Sequence, residues 1–123
     1  MRLTLKDLVK LIKNINIDSN DDEVLQLTDT FREYQKLIIK CVESNSENEL
    51  LEKIYAKCDK FEVSLKDLVD TVKRNKYWLD KAKTEKEKEI IKKDIISARR
   101  IIIKCLLFQN SDNELLENIT IDI

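Results

Sequence analysis

The chain has 123 residues, 38% of them charged, a formal net charge of −1, and no glycine, proline or histidine. Without glycine there is no Walker loop and no Rossmann fingerprint, because backbone cannot approach phosphate closely enough. Without histidine there is no Ser-His or Cys-His pair, no His-bearing zinc site and no imidazole switch, so only carboxylate-based chemistry is left open.

A length of 123 residues makes one domain, residues 1–123. Strand proteins draw on glycine for turns with positive φ, and its absence beside abundant Leu, Ile, Lys and Glu predicts an all-α helical bundle. The three cysteines, Cys41, Cys58 and Cys105, have no CxxC spacing, which fits neither a disulfide scaffold nor a zinc ribbon. A reducing, cytoplasmic setting is the simpler reading, since residues 1–9 are studded with charge and do not form a secretory signal. The most apolar run, residues 101–108, is broken by Lys104 and too short to span a bilayer, so no membrane is expected.

The first predicted helix starts at Thr4, where Thr4 and Asp7 make an acidic variant of the capping box. Its apolar face is Leu5, Leu8, Ile12 and Ile15. The acidic stretch that follows places Asp18, Asn20 and Asp22 at the first, third and fifth positions of a calcium loop. Glu23 stands where glycine should be and Asp29 where glutamate should be, so the stretch reads as an acidic turn facing a helix dipole and no metal is expected.

A second, longer helix carries Val24, Leu27, Phe31, Tyr34, Ile38 and Cys41 at alternating spacings of three and four, a seam for another helix. A third starts at Ser46, with Glu49 completing a capping box.

The pattern then recurs. Leu5-Lys6-Asp7-Leu8-Val9 matches Leu65-Lys66-Asp67-Leu68-Val69 at an offset of 60, and Ser64 repeats the Thr4 cap. Ile38-Ile39-Lys40-Cys41 matches Ile102-Ile103-Lys104-Cys105 at 64, and the Asn45–Glu52 block matches the one that starts at Asn110 at 65. Three blocks in one order predict a tandem duplication of a three-helix unit, residues 1–59 and 60–123, with pseudo-twofold symmetry. In the second unit Leu65, Leu68 and Val72 form the first helix face, Ile91, Ile95, Ala98, Ile102 and Cys105 form the seam, and Ser111 with Glu114 caps a shorter third helix. The two seams are expected to pack against each other, and residues 119–123 to form an extended tail. Asn14 or Asn16, Asn45, Asn75 and Asn110 fall near predicted helix ends, where asparagine in the left-handed region would replace glycine.

The units differ in charge. Residues 73–104 hold 12 basic and 5 acidic side chains, whereas the remainder holds 11 and 19. This asymmetry nominates a partner-binding face made of Lys73, Arg74, Lys76, Lys83, Lys86, Lys92, Lys93, Arg99 and Arg100, with Tyr77 and Trp78 as an aromatic anchor. The bland alternative is a solvated face of i,i+4 lysine–glutamate pairs, with Trp78 in the core or a lid.

The expected function is a non-enzymatic protein-interaction module, a small adaptor, inhibitor or regulator, with another protein as partner and no cofactor. Its size and its Ile, Lys and Asn content suit a viral, mobile-element or immunity protein. The alternative is a nucleic-acid-binding module using the basic face of residues 73–104, and a homodimer joining basic to acidic surface is also allowed. A carboxylate enzyme ranks last, because no convergent polar cluster interrupts the apolar stripes.

Overall fold

Thr4 and Ser64 start two helices in the same way. The Thr4 hydroxyl accepts from the backbone N–H of Asp7 at 3.0 Å while the Asp7 carboxylate accepts from the Thr4 N–H at 3.2 Å. The Ser64 hydroxyl accepts from the Asp67 N–H at 3.1 Å. The computed structural model describes residues 1–14 and 29–122. Among these, short strands and turns flank four α-helices. In chain order they are β1 (Arg2–Thr4), α1 (Leu5–Lys13), α2 (Asp29–Ser44), a 3₁₀ turn (Glu49–Lys53), β2 (Tyr55–Lys57), β3 (Glu62–Ser64), α3 (Leu65–Lys81), α4 (Glu85–Lys104), a π turn (Cys105–Gln109), a 3₁₀ turn (Glu114–Asn118) and β4 (Thr120–Asp122).

The protein is therefore mainly helical with two small sheets, and the strands depart from the all-α expectation. Pairing is antiparallel and reciprocal: β1 pairs with β4, with Leu3 opposite Ile121, and β2 pairs with β3, with Ala56 opposite Val63. The first strand of each half thus meets the last strand of the other. Two further backbone bonds match in the same sense, Leu5 N–H to Ile119 O at 2.7 Å and Leu65 N–H to Ile54 O at 2.9 Å.

The expected third helix of each unit is a single 3₁₀ turn. Its cap is Asn48 or Asn113, not Ser46 or Ser111; each asparagine carbonyl accepts from the N–H two residues on, at 3.0 Å. The reason lies in burial. Leu51 and Ile54 are both fully buried, as are Leu116 and Ile119. A 3₁₀ turn eclipses residues three apart, which sends both side chains to one side. Ile54 and Ile119 are themselves extended, which ends the turn and launches the strand.

Asn14, Asn75 and Asn110 do not replace glycine through the left-handed region, Asn110 standing at φ −127°, and the expectation on Asn16 lies outside the described residues. Asn14 is right-handed at φ −70°, and Asn75 lies inside α3. Asn45 and Asn110 act through their side chains. Asn45 Nδ2 donates to Cys41 O at 2.7 Å and to Thr120 O at 2.8 Å. Asn110 Nδ2 donates to Tyr55 O at 2.9 Å and to Cys105 Sγ at 3.2 Å. Each amide ties the end of a long helix to the last strand of the other half.

The change of offset from 64 to 65 has a structural counterpart here. Between Cys41 and Asn45 stand three residues, and the Asn45 N–H bonds back to Cys41 O at 3.2 Å, an α-type closure. Between Cys105 and Asn110 stand four, and the Asn110 N–H bonds to Cys105 O at 2.8 Å, five residues back. The extra residue is absorbed as one π turn, which keeps Asn110 aimed at its strand. The added Gln109 side chain also brackets β2, accepting from Lys57 N–H at 2.8 Å and donating to Lys57 O at 3.0 Å.

The predicted apolar faces form the core. Leu5, Leu8, Ile12, Leu65, Leu68 and Val72 are buried, as are Ile38, Cys41, Ile95, Ala98, Ile102 and Cys105; Tyr34 and Ile91 pack partly buried against them. α1 lies chiefly along α2 and α3 chiefly along α4, while α2 and α4 meet over a shorter stretch. Each long helix thus takes its own first helix as main neighbour, where the seams alone predicted the other long helix. The expectations on Ile15, Val24 and Leu27, on the side chain of Phe31, and on the would-be calcium loop at Asp18, Asn20 and Asp22 lie outside the described residues.

Replacing Asn45 or Asn110 by alanine strips a strand carbonyl of its donor. Each substitution is expected to lower stability by about 1–3 kcal/mol in urea titrations, with little change in the denaturant slope.

Candidate functional site

Helix α3 outlasts α1 because residues 73–81 continue the helical turn where α1 stops at Asn14. That extension and α4 carry the nominated residues. Lys73, Arg74, Lys76, Tyr77 and Trp78 are on α3, Lys83 is in the α3–α4 connection, and Lys86, Lys92, Lys93, Arg99 and Arg100 are on α4. α4 starts at Thr84, whose hydroxyl accepts from the Glu87 N–H at 3.2 Å while the Glu87 carboxylate accepts from the Lys83 N–H at 3.1 Å.

These residues do not form one basic face. Lys76 and Arg99 turn toward α2, where Glu43 accepts Arg99 at 3.0 Å and stands 3.6 Å from Lys76. Lys73 reaches Glu47 at 3.4 Å, and Arg74 donates to the Thr71 hydroxyl at 3.3 Å. Part of the positive charge of the second half is therefore paired with acids of the first. Lys86, Lys93 and Arg100 recur every seven residues and so share one stripe of α4. Together with Lys92, their side chains are exposed and make no ion pair or hydrogen bond among the described residues. The lysine–glutamate ladder of the bland reading shrinks, within residues 81–93, to one pair among the described residues, Lys88 with Glu85 at 3.5 Å.

Trp78 is not in the core. Tyr77 and Trp78 are each 58% exposed, in an edge-to-face contact with ring centroids 5.3 Å apart. The Lys81 ammonium stands 5.7 Å from the Tyr77 centroid, at the outer limit of a cation–π contact. Beside them, a groove of about 530 Å³ is lined by Asn75, Trp78, Ala82, Lys83, Ile90 and Ile91, among others. Ile90, 55% exposed, was not nominated from sequence. Its signal was legible, for it falls outside the stripe at 91, 95, 98 and 102.

The remaining chemistry is sparse. No group of three or more acidic or cysteine side chains is placed to hold a metal ion among the described residues, and every buried side-chain nitrogen or oxygen among them has a partner. No helix of the described chain is long and apolar enough to cross a membrane. Cys41 and Cys105 are free and fully buried at their seam positions. Burial pushes both thiols up to about 11; for Cys105 the Asn110 amide pulls the other way and nearby Cys58 adds to the rise.

Comparison of the chain with protein-family models, with curated proteins and with solved structures returns no match.

The thiols offer a test of the core. Cys41 and Cys105 should resist a thiol reagent at pH 8, where a group of pKa about 11 is roughly one part in a thousand thiolate, while partly exposed Cys58 in the β2–β3 turn reacts first. Because the folded chain holds these two protons to about pH 11 and an unfolded thiol releases its proton near 9.0, their contribution is intact below pH 9 and lost as pH rises toward 11. Stability measured across that window should fall, less so in a Cys41→Ala variant.

Proposed function

We propose that this chain is a non-enzymatic helical protein-interaction module, an adaptor, inhibitor or regulator, built from two copies of one unit by tandem duplication. The observation that carries the interaction reading is the exposed aromatic pair Tyr77 and Trp78 beside Ile90, each more than half open to solvent. Tryptophan and tyrosine give large buried area for little lost side-chain freedom, which is why they dominate binding hot spots. Lys81 and Lys83 rim the same corner, so the partner surface that fits it is apolar at its centre and acidic at its edge.

The duplication reading is supported by the reciprocal strand pairs, by the matched bonds from Leu5 and Leu65, and by the matched amides of Asn45 and Asn110. On this reading the repeating unit is strand, helix, helix, 3₁₀ turn and strand.

Nucleic-acid binding is the second reading, favoured by the exposed Lys86, Lys92, Lys93 and Arg100. It requires affinity that falls steeply with salt and weakens when Lys92, Lys93, Arg99 and Arg100 are neutralised.

Affinity purification from the source cells separates the two. A protein partner should stay bound after nuclease treatment and at about 0.3 M salt, where exposed charges are screened within a few ångströms, and should be lost with Trp78→Ala or Ile90→Asp. Recovery that vanishes with nuclease and is indifferent to Trp78 would favour nucleic acid instead.

The duplication has its own test. A permuted chain that starts at Lys60, ends at Asp59 and joins Ile123 to Met1 through Asn-Gly has four residues between Asp122 and Arg2, as Lys57 and Glu62 already have. It should fold with unchanged helical circular dichroism, and failure to fold would show that the halves are not interchangeable.

A further inference from the structure

A groove of about 740 Å³ lies between α2 and α4, away from the Trp78 corner in its lining. Ile39, Ile96 and Ile103 supply its apolar lining, with Lys36, Lys40 and Arg100 exposed among them, Lys36 standing 3.4 Å from Glu33. Ile96 is 50% exposed, a second isoleucine outside the buried stripe of α4. The residues on α2 run from Arg32 to Ser44, about 18 Å of helix, enough to seat about three turns of a partner helix.

The lining carries five cationic side chains and one acid, Glu43, which already accepts Arg99 at 3.0 Å and faces Lys76 at 3.6 Å. Lys40 and Arg100 make no ion pair or hydrogen bond through their side chains among the described residues, and both are exposed. Lys36 and Arg100 stand 64 positions apart, as do Ile39 and Ile103. The two long helices therefore bring matched positions to the two walls, and both walls carry basic side chains beside apolar ones.

The geometry points to a docking site for an acidic amphipathic helix, a partner segment with apolar residues at i, i+3, i+4 and i+7 flanked by Asp and Glu. Charge complementarity selects that occupant. A second copy laid groove to groove would set Lys36, Lys40 and Arg100 against their own kind, a repulsion that disfavours self-pairing. A nucleic-acid strand would satisfy the basic walls but leave Ile39, Ile96 and Ile103 against phosphate and sugar, and it would meet Glu43. A helix with a greasy ridge and carboxylate flanks satisfies the apolar and the basic side chains together. This site is independent of the Trp78 corner.

The test uses the full chain and three labelled peptides of about 16 residues on one leucine frame, with glutamate, serine or lysine flanks. Fluorescence anisotropy should rank them glutamate over serine by at least about tenfold, with no binding of the lysine peptide. Ile96→Glu and the pair Lys40→Glu with Arg100→Glu change exposed positions, so circular dichroism should be unaltered. Each should weaken the glutamate peptide at least about tenfold, while Trp78→Ala leaves it unchanged. Equal binding of the serine and glutamate peptides, no saturation up to about 1 mM, or indifference to Ile96→Glu would overturn the proposal. So would a homodimer in sedimentation that the glutamate peptide dissociates, or an oligonucleotide that displaces the peptide and ignores Ile96→Glu.

Discussion

The backbone N–H of Leu5 donates to Ile119, that of Leu65 donates to Ile54, and around these two bonds β1 closes on β4 and β2 on β3. The constraint behind them is one of burial. A short helix laid on a longer one covers only part of either apolar face, so Leu51, Ile54, Leu116 and Ile119 must come in from the 3₁₀ turns and strands to complete the core. Because each half's last strand pairs with the other half's first, neither half finishes its own packing. Asn45 and Asn110 are the polar counterparts of that exchange: each spends its amide on a carbonyl of the strand its own half does not supply.

Charge is organised by the same exchange. The basic excess of residues 73–104 does not simply face water, because Lys73, Lys76 and Arg99 reach Glu43 and Glu47 of the first half. The Lys73–Glu47 pair is exposed and adds little to stability, whereas Arg99 and Glu43 are mostly buried and share several hydrogen bonds. The consequence of these pairs is spatial: they leave Lys86, Lys92, Lys93 and Arg100 on α4 as the cations not already paired in the interior angle between α2, α3 and α4. Two apolar openings then lie beside basic rims, one at the α3–α4 corner under Trp78 and one between the long helices. Surfaces of that composition suit protein partners that bring an apolar ridge with acidic edges.

Much of the architecture could be read from residue spacing. The capping residues Thr4 and Ser64, the buried faces of α1 and α3, and the seam from Ile95 to Cys105 all follow from 3.6-residue periodicity and local capping chemistry. Apart from the extended tail expected at residues 119–123, which holds β4, the strands could not be read. β1, β2, β3 and β4 are three residues each, too short to show alternation, and they exist only because a distant segment offers the complementary backbone groups. Ser46 and Ser111 matched a capping box as well as Asn48 and Asn113 matched an asparagine cap, and local rules alone do not choose between them. The choice fell to Ile54 and Ile119, which have to reach a core assembled from both halves. At the candidate sites, Tyr77 and Trp78 were legible as an aromatic pair and Ile90 and Ile96 as isoleucines off the stripe, but the α2 wall with Lys36 and Lys40 was not.

The sequence by itself carried the internal likeness of the two halves and determined α1 to α4, their order and their apolar faces, since a helix depends on residues within a few turns of one another. Tertiary structure alone decided which asparagine caps a turn, that a one-residue insertion becomes a π turn, which lysines are paired and where two helices open into a groove. Several of those outcomes depend on groups 26 to 120 positions apart, as Lys73 with Glu47, Asn110 with Tyr55 and Arg2 with Asp122 show. Hydrogen bonds and burial between such groups are set by the packed whole, and no local window of residues contains them.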